Sequence, residues 1–200
     1  MFKSIFNPNN DFFRFLSQIV DFVGLSIIWS ILVSPVVTAG AATSALYYTV
    51  KKVYFEKEES CFKTFFRAFV INMNQGTKLT LAYAVIFVVL GYGYYVMYTC
   101  SITAIGAAMF YAYSIALTIP MCFVLISLFM IGRSQITTKD LIRSSLILSF
   151  RHYFVALVCV ILLILFFEVA LQLYWPFLCI PTLWMIICVF LFERIFNKYE

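Results

Sequence analysis

From Leu79 to Gly132 the chain runs for 54 residues without a charged side chain or a histidine. One helical membrane crossing takes about 20 apolar residues, so the run is too long for one crossing and suits a hairpin of two. The turn is expected near Thr99-Cys100-Ser101. Tyr92, Tyr94, Tyr95 and Tyr98 cluster just before it, as an interfacial aromatic belt would. Composition agrees: 64% of residues are apolar and 12% charged, against about 45–50% and about 25% in soluble chains. A chain of 200 residues could not hide that much apolar surface from water. Disorder, collagen, a coiled coil and a water-soluble enzyme are excluded. The expected fold class is all-α, a multi-pass helical transmembrane bundle forming a single integral membrane domain over 1–200.

The other apolar stretches extend this layout. Phe22 to Val50 is also free of charge and is divided by Ser34-Pro35. The residue before a proline is pushed out of helical geometry. A helix over about 19–34 should therefore break there, with a small-residue helix following over 36–50. Spans are expected at about 19–34, 79–98, 102–131, 154–173 and 177–192. The third contains Pro120, which predicts a kink or tilt. Tyr174-Trp175-Pro176 marks the turn between the last two.

Two further segments are amphipathic and are expected to lie on the membrane surface, over 61–76 and 138–152. In the first, Phe62, Phe65, Phe66 and Phe69 fall at helical spacing and read as anchors in the interface. In the second, Thr137-x-x-Asp140 forms a capping box. Offset by 76 residues, the two halves share Lys63 with Lys139, Arg67 with Arg143, Ile71 with Ile147, Leu81 with Leu157 and Tyr98 with Tyr174. Five identities in so apolar a background barely exceed chance, and the likeness reads as convergent membrane layout.

The fourteen Lys and Arg sit in short segments between apolar runs. With five spans, twelve of them fall on one side and two on the other, which makes the first side cytoplasmic and puts the C-terminus there. If the 22–50 stretch turns at Pro35 and returns, the N-terminus is cytoplasmic as well; its side stays open. The partner these cations imply is anionic lipid, not nucleic acid. Met1 to Asp11 lacks a signal-peptide pattern and reads as retained.

The six cysteines show no ligand spacing and His152 is the single histidine. Neither a metal site nor a disulfide framework is expected, and no cofactor is implied. No Ser-His-Asp set, HExxH or phosphate-cradling glycine loop is present, so the chain reads as non-enzymatic. Glu168 and Gln172 are the polar residues within a span. Glu168 either reaches the headgroups or faces the bundle.

Leu32 to Tyr48, reading Leu-Val-Ser-Pro-Val-Val-Thr-Ala-Gly-Ala-Ala-Thr-Ser-Ala-Leu-Tyr-Tyr, resembles the signature of the YesL-like proteins. These are a bacterial membrane family of unknown function. Arg14-Phe15-Leu16 with Asp21, and Phe65-Phe66-x-x-Phe69-x-x-Asn72-x-x-Gln75, match as well. The resemblance covers about residues 12–78. It implies a link to carbohydrate uptake, because such proteins are often encoded beside carbohydrate ABC-transporter components. On that footing the chain is an accessory, assembly or regulatory component that docks on ABC-transporter subunits or another membrane protein. The alternative is a small-solute transporter or channel with its site at the broken helix 34–45. Pro35, Thr38, Gly40, Ala41, Thr43, Ser44, Ala45 and Tyr47 are the residues at issue. They serve either as a packing surface or as the lining of a solute site.

Overall fold

The computed structural model describes residues 11–56, 60–101, 103–133, 137–173 and 180–196. Among these the regular structure is helical: α1 Asp11–Val33, α2 Ala39–Val50, a π-helical turn Lys51–Phe55, α3 Cys61–Thr99, α4 Ala104–Ala116, α5 Thr118–Arg133, α6 Thr138–Arg151, α7 Tyr153–Leu173 and α8 Ile180–Phe196.

The short helix α2 is the axis of the bundle. It packs against α1, α3, α5 and α8, and every residue from Gly40 to Tyr47 is buried, as are Thr49 and Val50. A helix whose whole circumference is small or apolar has no face to give to solvent and is stable only inside a core. Pro35 makes this placement workable. It stops α1 at Val33, and the chain turns through Val36, whose φ of 57° is unusual for a β-branched residue. The Thr38 hydroxyl donates back to the Leu32 carbonyl and closes the turn.

Close approach is written into glycines. A Cβ added at Gly76 would stand 2.7 Å from the Ala41 nitrogen, and one at Gly132 would stand 2.5 Å from the Ser44 carbonyl oxygen. These positions set the α2–α3 and α2–α5 crossings. The N-terminal amides of a helix lack partners within it; here the Gly40 amide donates to the Thr80 hydroxyl of α3 at 3.0 Å. That hydroxyl in turn donates to the Gly76 carbonyl at 2.7 Å. Further polar pegs join the apolar helices. Ser26 and Thr182 hydroxyls meet at 2.5 Å between α1 and α8. Tyr83 donates to Ser127 at 2.9 Å, and the Trp184 indole donates to the Cys159 carbonyl at 3.1 Å.

Two expectations change. First, segment 61–76 is not a separate surface helix. It continues without a break into the apolar half, giving one helix of 39 residues. Gly76 does not punctuate the chain because it is used for the crossing with α2. Its buried line is Cys61, Phe65, Ala68, Asn72, Gly76, Leu79 and Tyr83, which takes only Phe65 from the expected anchors. The kink expected from Pro120 is present: α4 and α5 meet at Leu117, within one candidate span, Ile105–Arg133. Proline clashes with the carbonyl four residues earlier. For Pro120 that residue is Ala116, where α4 ends.

Second, among the described residues fewer than five helices qualify as spans. Cys61–Thr99 and Ile105–Arg133 are long and apolar enough to cross a membrane, and counting the bent pair Thr138–Arg151 with Tyr153–Phe166 as one gives up to three. The expected first span fails on length, because its apolar part, Ile19–Val33, is cut short at Pro35. The expected last span overlaps α8, of which the 17 residues Ile180–Phe196 are described. The expected turn Tyr174-Trp175-Pro176 lies outside the described residues. The two halves related by the 76-residue offset also differ in shape. In the first half one unbroken helix runs on, whereas α6 and α7 bend by 93° at His152.

The outer faces are apolar. Val85, Val88 and Val89 of α3, Ile105 and Ile115 of α4, and Phe154 and Leu165 of α7 are all exposed. Such faces suit acyl chains and not water.

Candidate functional site

Charge gathers at one end of the bundle, where α2, α5 and α8 finish. Glu193 of α8 is its centre. The Tyr47 phenol, a donor at neutral pH, donates to Glu193 Oε1 at 2.8 Å. Lys51 Nζ lies 3.1 Å from Oε2 and Arg133 Nη1 lies 3.5 Å from it. The three ionic side chains retain only 15%, 21% and 10% of their exposure, in the order Glu193, Lys51, Arg133. At that burial each needs the others, since an isolated charge there would be costly.

Packing positions these groups. The Tyr47 ring stacks on Phe129 with centroids 4.9 Å apart, and Phe129 meets Phe192 edge-on at 5.2 Å. The Arg133 guanidinium lies over the Phe196 ring at 4.5 Å. The lack of a side chain at Gly132 lets α5 close on α2 and delivers Arg133 to the cluster. The π-helical turn separates the two adjacent lysines. Lys51 reaches Glu193, while Lys52 pairs with Glu56 at 2.6 Å.

Beside the cluster, between α2, α3 and α5, is a cavity of about 160 Å³ lined in part by Tyr48, Arg67, Asn72, Gly132 and Arg133. It combines two guanidinium groups, an amide and a phenol, which are predominantly hydrogen-bond donors.

The expected site residues divide among several places. Pro35 and Thr38 form the turn into α2. Gly40, Ala41, Thr43, Ser44 and Ala45 are buried in helix packing, and the Ser44 hydroxyl is spent on the Ala41 carbonyl at 3.0 Å. Tyr47 alone of this set joins the charged cluster. Glu168 is exposed on α7. Gln172 lies in the last turn of α7, and its side chain lies outside the described set.

The expected anchors do not act together either. Phe65 is fully buried. Phe62 sits against Gly24 of α1, where an added Cβ would be 2.7 Å from its ring. Phe69 packs on the core. Phe66, 49% exposed, is the one of the four that faces outward.

Residues 22–94 match a family model described as "Protein of unknown function, DUF624". Comparison with curated proteins and with solved structures finds no match. The matched stretch holds the Pro35 turn, all of α2 and its crossing with α3, and the Tyr48, Arg67 and Asn72 side of the cavity. Arg133 and Glu193 fall beyond it.

Glu193, Arg133 and Lys51 are not legible as a site in the sequence, where Lys and Arg read only as charges in short segments between apolar runs. Asn72 enters there only as part of a family motif. No spacing within the chain signals a carboxylate whose phenol partner is 146 residues away.

Proposed function

We propose that this chain is a YesL-like, non-enzymatic integral protein of the plasma membrane. It serves as an accessory, assembly or regulatory component of carbohydrate uptake, with its C-terminus cytoplasmic. The observation that carries the non-transporting reading is the filled interior at the broken helix. A Cβ at Gly40 would already lie 2.1 Å from the Thr80 hydroxyl, so a solute has no room where α2 begins. The titratable groups that do come together are a carboxylate, two cations and a phenol, which is the chemistry of charge pairing. The match over residues 22–94 supports the YesL-like reading, and the carbohydrate link follows from that resemblance. The cations Lys51, Arg133 and Arg194 at one end of the bundle support a cytoplasmic placement of that end. The long apolar faces of α3, α4 and α7 leave ample surface for lipid and for a neighbouring membrane protein.

Affinity purification of the tagged full-length chain in mild detergent tests this. Subunits of a sugar importer should co-purify in stoichiometric amounts. Sugar flux into liposomes containing this protein alone would overturn the reading in favour of a transporter.

A further inference from the structure

The cavity beside Glu193 is lined by two guanidinium groups, those of Arg67 and Arg133. The nearby Glu193 carboxylate is shared by Tyr47, Lys51 and Arg133, and among the described residues no acidic side chain lines the cavity. Asn72 is a second, independent observation. It is 8% exposed, and it lines this cavity. Its amide, at the cavity wall, can donate to a group that enters.

Size and place narrow the ligand. A cavity of about 160 Å³ is well above the minimum that admits a water and has room for a small ligand. That suits one compact anion and not a sugar polymer. Arg133 is the last residue of the Ile105–Arg133 candidate span, so the cavity opens at the depth of lipid headgroups. Guanidinium forks match the paired oxygens of a phosphate in geometry and charge. The amide of Asn72 and the phenol of Tyr48 supply further donors.

We infer that this cavity is a binding site for a single phosphate group, held by Arg67, Arg133, Asn72 and Tyr48. The phosphate belongs either to a phospholipid headgroup or to a free phosphate compound. The site is independent of whether the chain docks on a sugar importer.

Full-length protein in a neutral detergent is titrated with inorganic phosphate, with short-chain phosphatidic acid and with short-chain phosphatidylcholine, and binding is followed calorimetrically. Arg67→Gln removes an exposed guanidinium that the core does not need, and Asn72→Leu removes the amide at similar volume. Lys63→Gln, one turn away on α3 and outside the lining, loses the same charge as Arg67→Gln. Saturable binding of inorganic phosphate or of phosphatidic acid is expected, weakened roughly tenfold by Arg67→Gln and unchanged by Lys63→Gln. Binding of inorganic phosphate assigns the site to a free phosphate compound. Binding of phosphatidic acid without inorganic phosphate assigns it to a headgroup. If neither binds, or if Lys63→Gln weakens binding as much as Arg67→Gln, the inference fails.

Discussion

Tyr47 and Glu193 are joined by a 2.8 Å hydrogen bond that ties the buried axis of the bundle to its last helix. The same carboxylate neutralises Lys51 and Arg133, so it is the shared counter-charge of the whole end. Glu193→Gln leaves two partly buried cations uncompensated. Such a loss costs about 3 kcal/mol, the low end for a buried pair because Lys51 keeps some solvent. Tyr47→Phe keeps the stack on Phe129 and should cost about 1.5–3 kcal/mol for one charge-assisted bond. Thermal unfolding in detergent ranks the two, and an unchanged midpoint for Glu193→Gln would show that the cluster does not stabilise the fold.

The α2–α3 crossing makes a sharper demand. Gly40→Leu and Gly76→Leu must force backbones apart, and overpacking typically costs about 1–3 kcal/mol or more. Both should lower the amount of folded protein recovered by size-exclusion chromatography. Thr80→Val keeps the shape of the side chain but orphans the Gly40 amide, at about 1–3 kcal/mol. Thr38→Ala, at the edge of the turn, should be milder than any of these. Normal recovery of both leucine variants would refute the packing geometry.

The phenylalanines of α3 separate by burial. Phe65→Ala should destabilise by about 3–5 kcal/mol, because its ring is wholly enclosed. Phe66→Ala should leave the melting midpoint nearly unchanged. The reverse order would return the segment to the membrane surface that its periodicity first suggested.

Val36 holds a φ of 57° while its side chain is 60% exposed, so little packing opposes replacement. The left-handed region costs a β-branched residue about 1–2 kcal/mol. Val36→Gly gives back part of this gain as chain entropy in the unfolded state. A net rise in stability of about 0.5–1 kcal/mol is expected. A drop in the unfolding midpoint would show that the turn is not strained there.

Orientation has a direct chemical reporter. Cys100 is exposed at the α3–α4 turn, whereas Cys61, Cys122, Cys159 and Cys188 are buried. In a Cys179→Ser background, a membrane-impermeant maleimide should label intact cells at Cys100, and labelling should vanish in Cys100→Ser. Labelling only after the cells are opened would invert the topology.

Local chemistry is legible in the sequence wherever one residue decides the outcome. Pro35 ends a helix whatever surrounds it. Thr137 and Asp140 mark the start of α6, although their side chains bond to each other at 2.5 Å and not to the backbone. The Thr99–Ser101 turn follows from length alone, since a run that long must fold back. What stays hidden depends on tertiary partners. Gly76 and Gly132 look like punctuation until α2 is seen lying against them. The amphipathic face of 61–76 cannot declare whether it seeks lipid or another helix, because both reward the same spacing. Glu193, Lys51 and Arg133 come from three distant segments, and only the assembled bundle makes them neighbours.

At 39 residues, α3 is about 58 Å long, nearly twice the hydrocarbon thickness of a bilayer. One half is clasped against α2; the other stands out with α4 as an apolar hairpin. Because no proline or bulge interrupts the rod, the two halves cannot swivel independently. The Gly40–Gly76 crossing and the Arg67 and Asn72 wall of the cavity therefore share one continuous helix with the apolar hairpin, so the register of the hairpin on α4 and that of the cavity wall on α2 are fixed by the same rod.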